Sequence, residues 1–509
     1  MDLRGKIGQR LVFGFRGLTV PEDFAALVRE YKIANIILFR YNVESLPQLT
    51  RLCAELQSLV REATGHAAFI TIDQEGGMVT RLPWDAVNVP GCMALAATGD
   101  ADNARLAAEI TARQLRGCGV NFNLAPDLDV NSNPMNPVIG VRSFGDTPTR
   151  AATLGAAAVR GYLSGGMLCC GKHFPGHGDT AVDSHLGLPC IDKSLAELEE
   201  CELVPFRAAV AEGIPAIMSS HILFPKIEPD GVPATMSRRI MHDLLRGKLG
   251  FSGLVLSDCM VMDAIRQHYG TARGVVEAMR AGVDMVFVSS SAQLQRESAA
   301  AALAAAERGE IDAAELDESV GRILAARSRW AFESAEPSLA GRKEDFAAAA
   351  RMARQAIAAV RGSAAPVSGA TFFCGCADYR MALVANADPD AVPFPEYMGR
   401  RFGAKYAVCS KDPDAAEIEK IAALASGAEN IVFSSCNAYL FRGQLALAEA
   451  LSRLGVPLTV IALRNPYDLP LMPENAALLA AFDYTRDSLA ALADVLSGGK
   501  CTGSMPVTL

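Results

Sequence analysis

Charged and imidazole side chains recur at the ends of predicted buried strands in the first two-thirds of the chain. They are Asp73 after the third predicted strand, Asp127, Asp129 and Arg142 after the fourth, Lys172 and His173 at the end of the fifth, His221 at the end of the sixth and Asp258 at the end of the seventh. Carboxylate and imidazole groups can attack an electrophilic carbon or transfer protons near neutral pH. Because five strands deliver such groups to one edge, the pattern indicates an active site rather than packing.

Histidines are concentrated in the same loops. Of the seven histidines in the chain, His173, His177, His185 and His221 map there. Such a cluster can transfer protons or bind a metal ion. The chain contains no His-Glu-x-x-His pair, and none of its 13 cysteines forms a Cys-x-x-Cys pair. The sequence therefore predicts no metal and no cofactor, and it predicts that the cysteines are buried, reduced thiols.

Strand-length apolar runs alternate with helix-period segments before residue 333. The predicted strands are Leu11–Phe15, Asn35–Phe39, Phe69–Asp73, Val120–Ala125, Met167–His173, Ala216–His221, Leu254–Asp258 and Met285–Val288. Most are continuous apolar runs, as expected for parallel strands that are covered on both faces. Amphipathic segments lie between them, including Leu46–Ala63, Asn103–Arg116, Leu195–Ala211 and Ser237–Lys248. Eight strand–helix units predict an α/β fold of the (β/α)8 TIM-barrel type, and an open doubly wound sheet is the structural alternative.

A second alternating series follows a polar stretch. Residues 333–345 include Pro337 and Gly341 and are predicted to form a linker. The later predicted strands are Thr371–Cys374, Tyr406–Cys409, Asn430–Ser434, Pro457–Leu463 and Leu478–Phe482. We therefore expect a catalytic barrel at residues 1–332 and a smaller C-terminal α/β sandwich at residues 346–509.

Composition excludes several classes of partner. The chain has 509 residues with 48 Lys and Arg against 57 Asp and Glu, a net charge of −9. An acidic chain is a poor match for nucleic acid, which requires a basic face. The N-terminus shows no secretory signal, and no apolar run is long enough to span a membrane. The sequence predicts a cytoplasmic protein, a monomer or weak homo-oligomer, whose partner is a small molecule.

The run from Lys172 to His185 reads KHFPGHGDTAVDSH, and it resembles the signature of glycoside hydrolase family 3 in its β-N-acetylhexosaminidase branch. Further segments with family character occur in the expected order: IDQEGGMVTRL at residues 72–82, IGVRSFG at 139–145, LSDCM at 256–260 and, less specifically, IALRNPYDL at 461–469. The resemblance spans essentially the whole predicted barrel. One departure is Met78, where many relatives carry an arginine, and it puts the local loop contacts and the preference beyond the first sugar in question.

The resemblance implies a role for each matching residue. Asp258 matches the nucleophile of a retaining double displacement, and His185 matches the general acid and base, with Asp183 as its partner. The substrate-binding positions are Asp73, Arg81, Arg142, Lys172 and His173, and His221 is a further candidate for lining the pocket. His177 and Asp179 are predicted to brace the loop.

The predicted activity is the exo-acting removal of terminal β-linked N-acetylglucosamine from a small glycoside, either a cell-wall muropeptide fragment or a chitooligosaccharide. Three alternatives remain open. A phosphorylase is one, since a neutral imidazole repels incoming phosphate less than a carboxylate does. A β-glucosidase or β-xylosidase of the same family is the second, and a sugar-binding barrel without activity is the third.

Overall fold

The computed structural model describes residues 1–83, 85–181, 187–377 and 392–509. Within them, the first sheet contains eight parallel strands. They are β1 (Leu11–Phe13), β2 (Asn35–Leu38), β3 (Phe69–Ile72), β4 (Phe122–Asn123), β5 (Leu168–Phe174), β6 (Ala216–Ser219), β7 (Leu254–Leu256) and β8 (Val286–Val288). β1 pairs with both β2 and β8, and a parallel bridge from Leu256 to Met285 joins β7 to the β8 side. The predicted barrel is confirmed, and the open-sheet alternative is wrong.

Strand ends set the position of the polar residues. β3 stops at Ile72, and β7 stops at Leu256, so Asp73 and Asp258 lie in the loops that follow. The barrel interior below these loops is filled by apolar side chains, among them Phe69 and Phe122, whose rings meet edge to face at 5.6 Å. A filled interior is a packed core rather than a pore, and ligands of this fold bind at the carboxyl edge of the barrel.

Helices surround the barrel. They are α1 (Leu3–Arg10), α2 (Glu22–Tyr31), α3 (Leu46–Thr64), α4 (Cys92–Ala97), α5 (Ala101–Cys118), α6 (Pro148–Ser164), α7 (Leu195–Glu200), α8 (Leu203–Ala211), α9 (Asp263–Arg266), α10 (Thr271–Ala281), α11 (Ala292–Glu307) and α12 (Ala313–Trp330), with a π-helix at Arg239–Lys248. In α3, the Ser45 side chain accepts the Gln48 N–H, and Gly65 ends the helix at φ 77°. Its leucines at positions 49, 52, 56 and 59 are buried, so the apolar stripe docks the helix on the sheet.

One predicted helix is divided in two. The segment Leu195–Ala211 breaks at Cys201 and continues from Leu203 as α8. Pro205 accounts for the break, because it has no N–H to give to the Cys201 carbonyl in a continuous helix. In the first turn of α8 that missing donor has no consequence.

The second sheet is smaller and mixed. Its strands are β9 (Ala358–Arg361), β10 (Thr371–Cys376), β11 (Lys405–Cys409), β12 (Asn430–Ser435), β13 (Leu458–Ala462) and β14 (Ala477–Ala480), in the order β11-β10-β12-β13-β14-β9. β9 pairs antiparallel with β14 and was not predicted, since its alternation is short and only partly buried. The helices are α13 (Lys343–Ala356), α14 (Phe394–Phe402), α15 (Ala415–Ala425), α16 (Gly443–Ser452) and α17 (Arg486–Leu496).

The smaller α/β sandwich predicted after the barrel is confirmed by this sheet and its helices. α13 and α14 each contact α17, and α15 packs against α16, as in the two helical layers of a sandwich. Within the predicted linker lie a 3-10 turn at Pro337–Leu339 and the start of α13 at Lys343. The exact bounds of the two domains stay a prediction.

Candidate active site

A cavity of about 490 Å³ opens at the carboxyl ends of the barrel strands. Most of the predicted site residues line it: Asp73, Arg81, Arg142, Lys172, His173 and Asp258. His177, which was predicted to brace the loop, lines it as well. The cavity is large enough for a sugar ring and its neighbour. The structure therefore brings together side chains from the loops after β3, β4, β5 and β7, as the strand-end pattern predicts.

Asp73, Arg81, Arg142 and Lys172 form a charged wall of the cavity, and Lys172 lies at its centre. Its Nζ lies 2.8 Å from Asp73 Oδ1 and 2.7 Å from Glu75 Oε1, and its side chain is 2% exposed. Burial lowers the pKa of this amine, but the two carboxylates outweigh burial and raise it above its ordinary value. Asp73 also faces Arg81 at 3.8 Å. Lys172 is therefore a fixed cation, and Asp73 is a carboxylate held between two cations.

Arg142 forms the second buried ion pair. Its Nε and Nη2 donate to the two oxygens of Glu75 at 2.9 and 2.8 Å, a bidentate geometry. Burial raises the pKa of Glu75, yet Arg142 and Lys172 together bring it well below its usual range. Glu75 is thus the shared counter-ion of both cations. Glu75 lies within the motif at residues 72–82, but no role was predicted for it, although two buried cations require buried anions.

His173 is oriented by the same guanidinium. Its Nε2 lies 3.3 Å from Arg142 Nη2, and its Nδ1 lies 2.7 Å from Asp129 Oδ2. Because a guanidinium nitrogen only donates, Nε2 must accept, and Nδ1 carries the proton and donates to Asp129. Asp129 also accepts the backbone N–H groups of His173 and His177. This carboxylate therefore fixes both the ring and the loop that carries it.

Asp127, Asp129 and His173 place potential metal-ligand atoms within 4.8 Å of one another, among the residues that the structure describes. Their surroundings fit a cation poorly. Arg142 Nη2 is 3.6 Å from Asp127 Oδ2, and Asp129 is engaged by N–H groups. Burial, with the charge of Asp129 next, raises the pKa of Asp127 well above its ordinary value. We assign the cluster to internal hydrogen bonding.

Asp258 lines the same cavity from the loop after β7. Its Oδ1 accepts the Cys259 N–H at 2.6 Å. Two further contacts fix Cys259. Its carbonyl accepts a hydrogen bond from His221 Nε2 at 3.1 Å, and its Sγ lies 2.9 Å from Ser289 Oγ. His221 is fully buried and is not among the described residues that line the cavity. A pocket-lining role for His221 stays a prediction, and its contacts favour support of the Asp258 loop.

The loop after β5 is braced from the barrel side. Gly178 packs so closely on the Val130 carbonyl that a Cβ would lie 1.7 Å from its oxygen, so only glycine fits. Asn136 donates to the His177 carbonyl at 2.8 Å, and Asp179 pairs with Lys193 at 2.9 Å. Burial lowers the pKa of His177 to about 4, so this ring is neutral at neutral pH. His185 and Asp183, the predicted acid–base pair, lie outside the described residues.

Several cavity residues were not predicted. Phe39 and Tyr41 follow β2, and their rings stack at 5.3 Å. Arg16 lies over the Tyr41 ring at 5.1 Å, and burial raises the pKa of that phenol to about 12. Val261 and Met262, which follow Asp258 in the chain, line the cavity as well. Only their position after a strand could have indicated them, since Phe39, Val261 and Met262 carry no group that transfers protons and a single tyrosine is a weak signal.

Met78, the departure from the family pattern, is only 6% exposed and belongs to an apolar cluster shared with the second domain. The same cluster includes Val79 and Val141 from the barrel and Phe372 from β10. Met78 is not among the described residues that line the cavity. Its structural context is therefore the contact between the two domains.

The cysteines agree only in part with the predicted burial, since Cys190 is exposed and Cys201, Cys259 and Cys501 are partly exposed. All 13 are free, and nine of them are buried. Cys259 is the one that lines the cavity among the described residues. In the described part of the chain, no helix combines the length and apolar character needed to cross a membrane.

A (β/α)8 barrel whose strand ends place carboxylates and paired cations around one cavity has the fold and the side-chain types found in glycoside hydrolases. Residues 2–326 match the model for the glycosyl hydrolase family 3 N-terminal domain. The chain therefore belongs to glycosyl hydrolase family 3, and the family predicted from the motif Lys172–His185 is confirmed.

Relatives with established names share this barrel. "Beta-hexosaminidase A" of Pseudoalteromonas piscicida is 36% identical over 345 residues, 63% of this chain and 58% of that protein. "Beta-hexosaminidase" of Pseudomonas aeruginosa is 34% identical over 302 residues, 58% of this chain and 86% of that protein. The chain thus spans less than two-thirds of the Pseudoalteromonas relative.

Among solved structures, a glycoside hydrolase family 3 β-N-acetylglucosaminidase from Paenibacillus sp. strain FPU-7 superposes with a TM-score of 0.92. It is 37% identical, and the match covers 100% of this chain and 99% of that one. The likeness therefore includes both sheets.

Proposed function

We propose that the chain is an exo-acting, retaining β-N-acetylhexosaminidase that hydrolyses terminal β-linked N-acetylglucosamine. The observation that carries this proposal is the cavity itself, which the Asp258 carboxylate lines together with the ion-paired side chains of Asp73 and Lys172 and with Arg142. The names of the relatives and the full-length likeness to a β-N-acetylglucosaminidase support the choice of sugar.

The reaction has two displacements. In the first, Asp258 attacks the anomeric carbon, the bond to the leaving oxygen breaks, and a proton reaches that oxygen from His185. In the second, His185 takes a proton from water, the water oxygen bonds to the anomeric carbon, and the glycosyl ester to Asp258 breaks. Asp183 is proposed to hold the His185 ring and to stabilise its protonated form. Two inversions give net retention.

The charged wall suits recognition of a hydroxylated ring. Asp73 offers carboxylate oxygens that accept from hydroxyl groups, and Lys172, Arg81 and Arg142 offer N–H donors. Their mutual ion pairs hold them in place before substrate arrives, so little rotamer entropy remains to be lost on binding. His173 supports this wall through Arg142.

The sugar preference is tested with chromogenic β-glycosides of N-acetylglucosamine, glucose and xylose at equal concentration. We expect turnover of the first to exceed the others by at least roughly 100-fold, as expected when a site that hydrogen-bonds a substituent meets an analogue lacking it. Preferred cleavage of glucoside or xyloside would refute the proposed specificity. Turnover in added phosphate, followed by NMR, distinguishes free N-acetylglucosamine from the 1-phosphate expected of a phosphorylase.

The role of His185 is tested by leaving-group dependence. In His185→Ala, a leaving group of low pKa departs without protonation, whereas a sugar leaving group does not. We expect a small loss of kcat/KM, which reports the first displacement, with a nitrophenyl glycoside and a loss of kcat/KM of roughly 10²- to 10⁴-fold with a disaccharide, the range typical of general acid catalysis. Equal losses with both substrates would contradict the assignment.

The biological setting is also proposed. Muropeptide fragments and chitooligosaccharides both present terminal β-linked N-acetylglucosamine, and a cytoplasmic monomer or weak homo-oligomer would act on either as a small substrate. Comparing kcat/KM for the two substrate types selects between them. Cell fractionation tests the location, and light scattering tests the oligomeric state.

A further inference from the structure

The second domain makes hydrogen bonds to the barrel loop that carries Arg142. Asn465, in the loop that follows β13, accepts the Val141 N–H through Oδ1 at 3.0 Å. Its Nδ2 donates to the Tyr439 hydroxyl at 3.0 Å, which orients the amide. Tyr467 accepts from Asn131 Nδ2 at 2.8 Å at the start of the same loop. All four side chains are buried, so these bonds lie in a low-dielectric contact where they are strong.

The Asn465 side chain packs closely against the backbone of Gly140. Gly140 has φ 47°, and a Cβ there would lie 2.3 Å from Asn465 Oδ1. Its N–H donates to Asn131 Oδ1 at 3.0 Å. Residues Gly140–Arg142 form a 3-10 turn. The backbone amides of Gly140 and Val141 are both held by side chains, immediately before Arg142.

A second contact holds the loop after β3. The carboxylate of Asp483 is hydrogen bonded by the backbone of Gly91, and a Cβ on Gly77 would lie 3.3 Å from its Oδ2. Gly77 in turn donates its N–H to the Val89 carbonyl at 2.9 Å. This loop carries Glu75, the bidentate partner of Arg142. The second domain therefore contacts both loops whose side chains meet in the Glu75–Arg142 pair.

We propose that Asn465 is a positioning residue for catalysis: it fixes the Val141 amide and thereby sets the Arg142 guanidinium against Glu75, His173 and the cavity. The role rests on the proposed function, because its kinetic effect is read through sugar turnover. It gives the second domain a task at the active site although that domain contributes no side chain to the described cavity lining. Small displacements of a binding group cost large factors in rate, which is why a remote amide can matter.

The variant Asn465→Leu removes the acceptor with little change in volume. We expect a fall in kcat/KM of roughly 10- to 100-fold, as for a misplacement of about 1 Å. Tyr439→Phe removes only the hydroxyl that orients Asn465 and should give a smaller loss in the same direction. Asn475→Leu is the matched control, since Asn475 is exposed in the same domain, and it should match the wild type.

A double-mutant cycle separates positioning from general destabilisation. If Asn465 acts through Arg142, then Asn465→Leu in an Arg142→Lys background has little further effect on kcat/KM. An equal fold-loss in both backgrounds, or a kcat/KM for Asn465→Leu within twofold of wild type, would overturn the proposal. If Asn465→Leu does not fold, Tyr439→Phe decides by the same cycle.

Hydrogen exchange of residues 131–142 tests the contact without any substrate. Faster exchange in this segment for Asn465→Leu, and not for Asn475→Leu, supports the proposal, whereas unchanged exchange overturns it. A wild type that turns over no sugar would refute the proposed function alone, and the exchange result would still report on the loop. The two failures are therefore distinguishable.

Discussion

The barrel and the second sheet both collect polar residues where their parallel strands end, but they use them differently. At the barrel edge, Lys172, Glu75 and Arg142 pair with one another beside a cavity. At the edge of the second sheet, Asp468 accepts the Tyr439 N–H at 3.1 Å, and Asn465 bonds to the barrel loop. The barrel edge is held by ion pairs between side chains, and the edge of the second sheet is held by hydrogen bonds from backbone N–H groups to side chains.

The difference shows that a ligand site needs more than its place in the fold. Ligands of α/β proteins generally bind at the carboxyl ends of the strands. In the second sheet that edge is covered, and Arg464 and Asn437 are buried with side-chain atoms that have no hydrogen-bond partner among the described residues. Covering by the loops of the neighbouring domain converts a potential binding edge into a support for the other site.

The strongest way to test the barrel edge is to remove its proposed nucleophile. Asp258→Asn keeps the shape of the side chain but cannot form a glycosyl ester, so we expect kcat to fall by roughly 10³-fold or more with unchanged folding. Asp243→Asn, on the exposed side of the π-helix, is the control. Turnover and circular dichroism on both variants measure the effect. Labelling of wild-type Asp258 by a fluoro-glycoside, located by peptide mass, checks the same assignment, and a label on another residue would contradict it.

Removing the shared counter-ion tests whether the paired charges of the barrel edge are interdependent. Glu75→Gln leaves Arg142 and Lys172 with less negative charge in a buried site, and breaking such a pair typically costs about 3–5 kcal/mol of unfolding free energy. We also expect a large loss of kcat/KM, because both cations lose their fixed position. Denaturant unfolding and kinetics measure the two effects, with the exposed Glu55→Gln as control. A stability within about 1 kcal/mol of wild type would show that the network does not depend on this carboxylate.

The fold followed from the sequence more completely than the site did. Continuous apolar runs predicted every strand of the barrel, since burial on both faces leaves a direct mark on composition. Asp73, Lys172 and Asp258 were identified because each is a charged residue at a strand end. Glu75 was not, because its partner Arg142 is 67 residues away and the pairing depends on how two loops fold together. The bond from Asn131 to Tyr467 joins residues 336 positions apart, and no local pattern predicts such a contact.

The apolar part of the contact between the domains can be broken at Met78. Its burial within the shared cluster means that Met78→Arg places a charge in an apolar contact, and we expect a loss of about 3 kcal/mol in unfolding free energy. Met135→Arg, at a side chain that is 50% exposed, is the matched control. Thermal and denaturant unfolding measure both variants. If Met78→Arg were as stable as Met135→Arg, the domains would have to separate or rearrange there at little cost.

The smallest expected effect lies at the second edge, in the pH dependence of stability. Burial raises the pKa of Asp468 to about 7, so the folded state retains a proton that the unfolded state releases near pH 4. The unfolding free energy contributed by this group is therefore greatest below about pH 4 and is lost as pH rises towards 7. Asp468→Asn keeps an acceptor for the Tyr439 N–H and does not titrate. Relative to this variant, wild type should lose roughly 2 kcal/mol between pH 5 and pH 7.

Denaturant unfolding across that pH range measures the difference, with Asp414→Asn, an exposed helix N-cap in the same domain, as the control for the substitution itself. Parallel stability curves for wild type and Asp468→Asn would mean that the carboxylate stays ionised in the folded protein. The second edge would then hold a buried charge. Its counter-ion would be Arg464, since Arg464 and Asp468 both lie near Cys436. In that case both edges would contain buried ion pairs, and they would differ only in that the barrel edge borders a cavity.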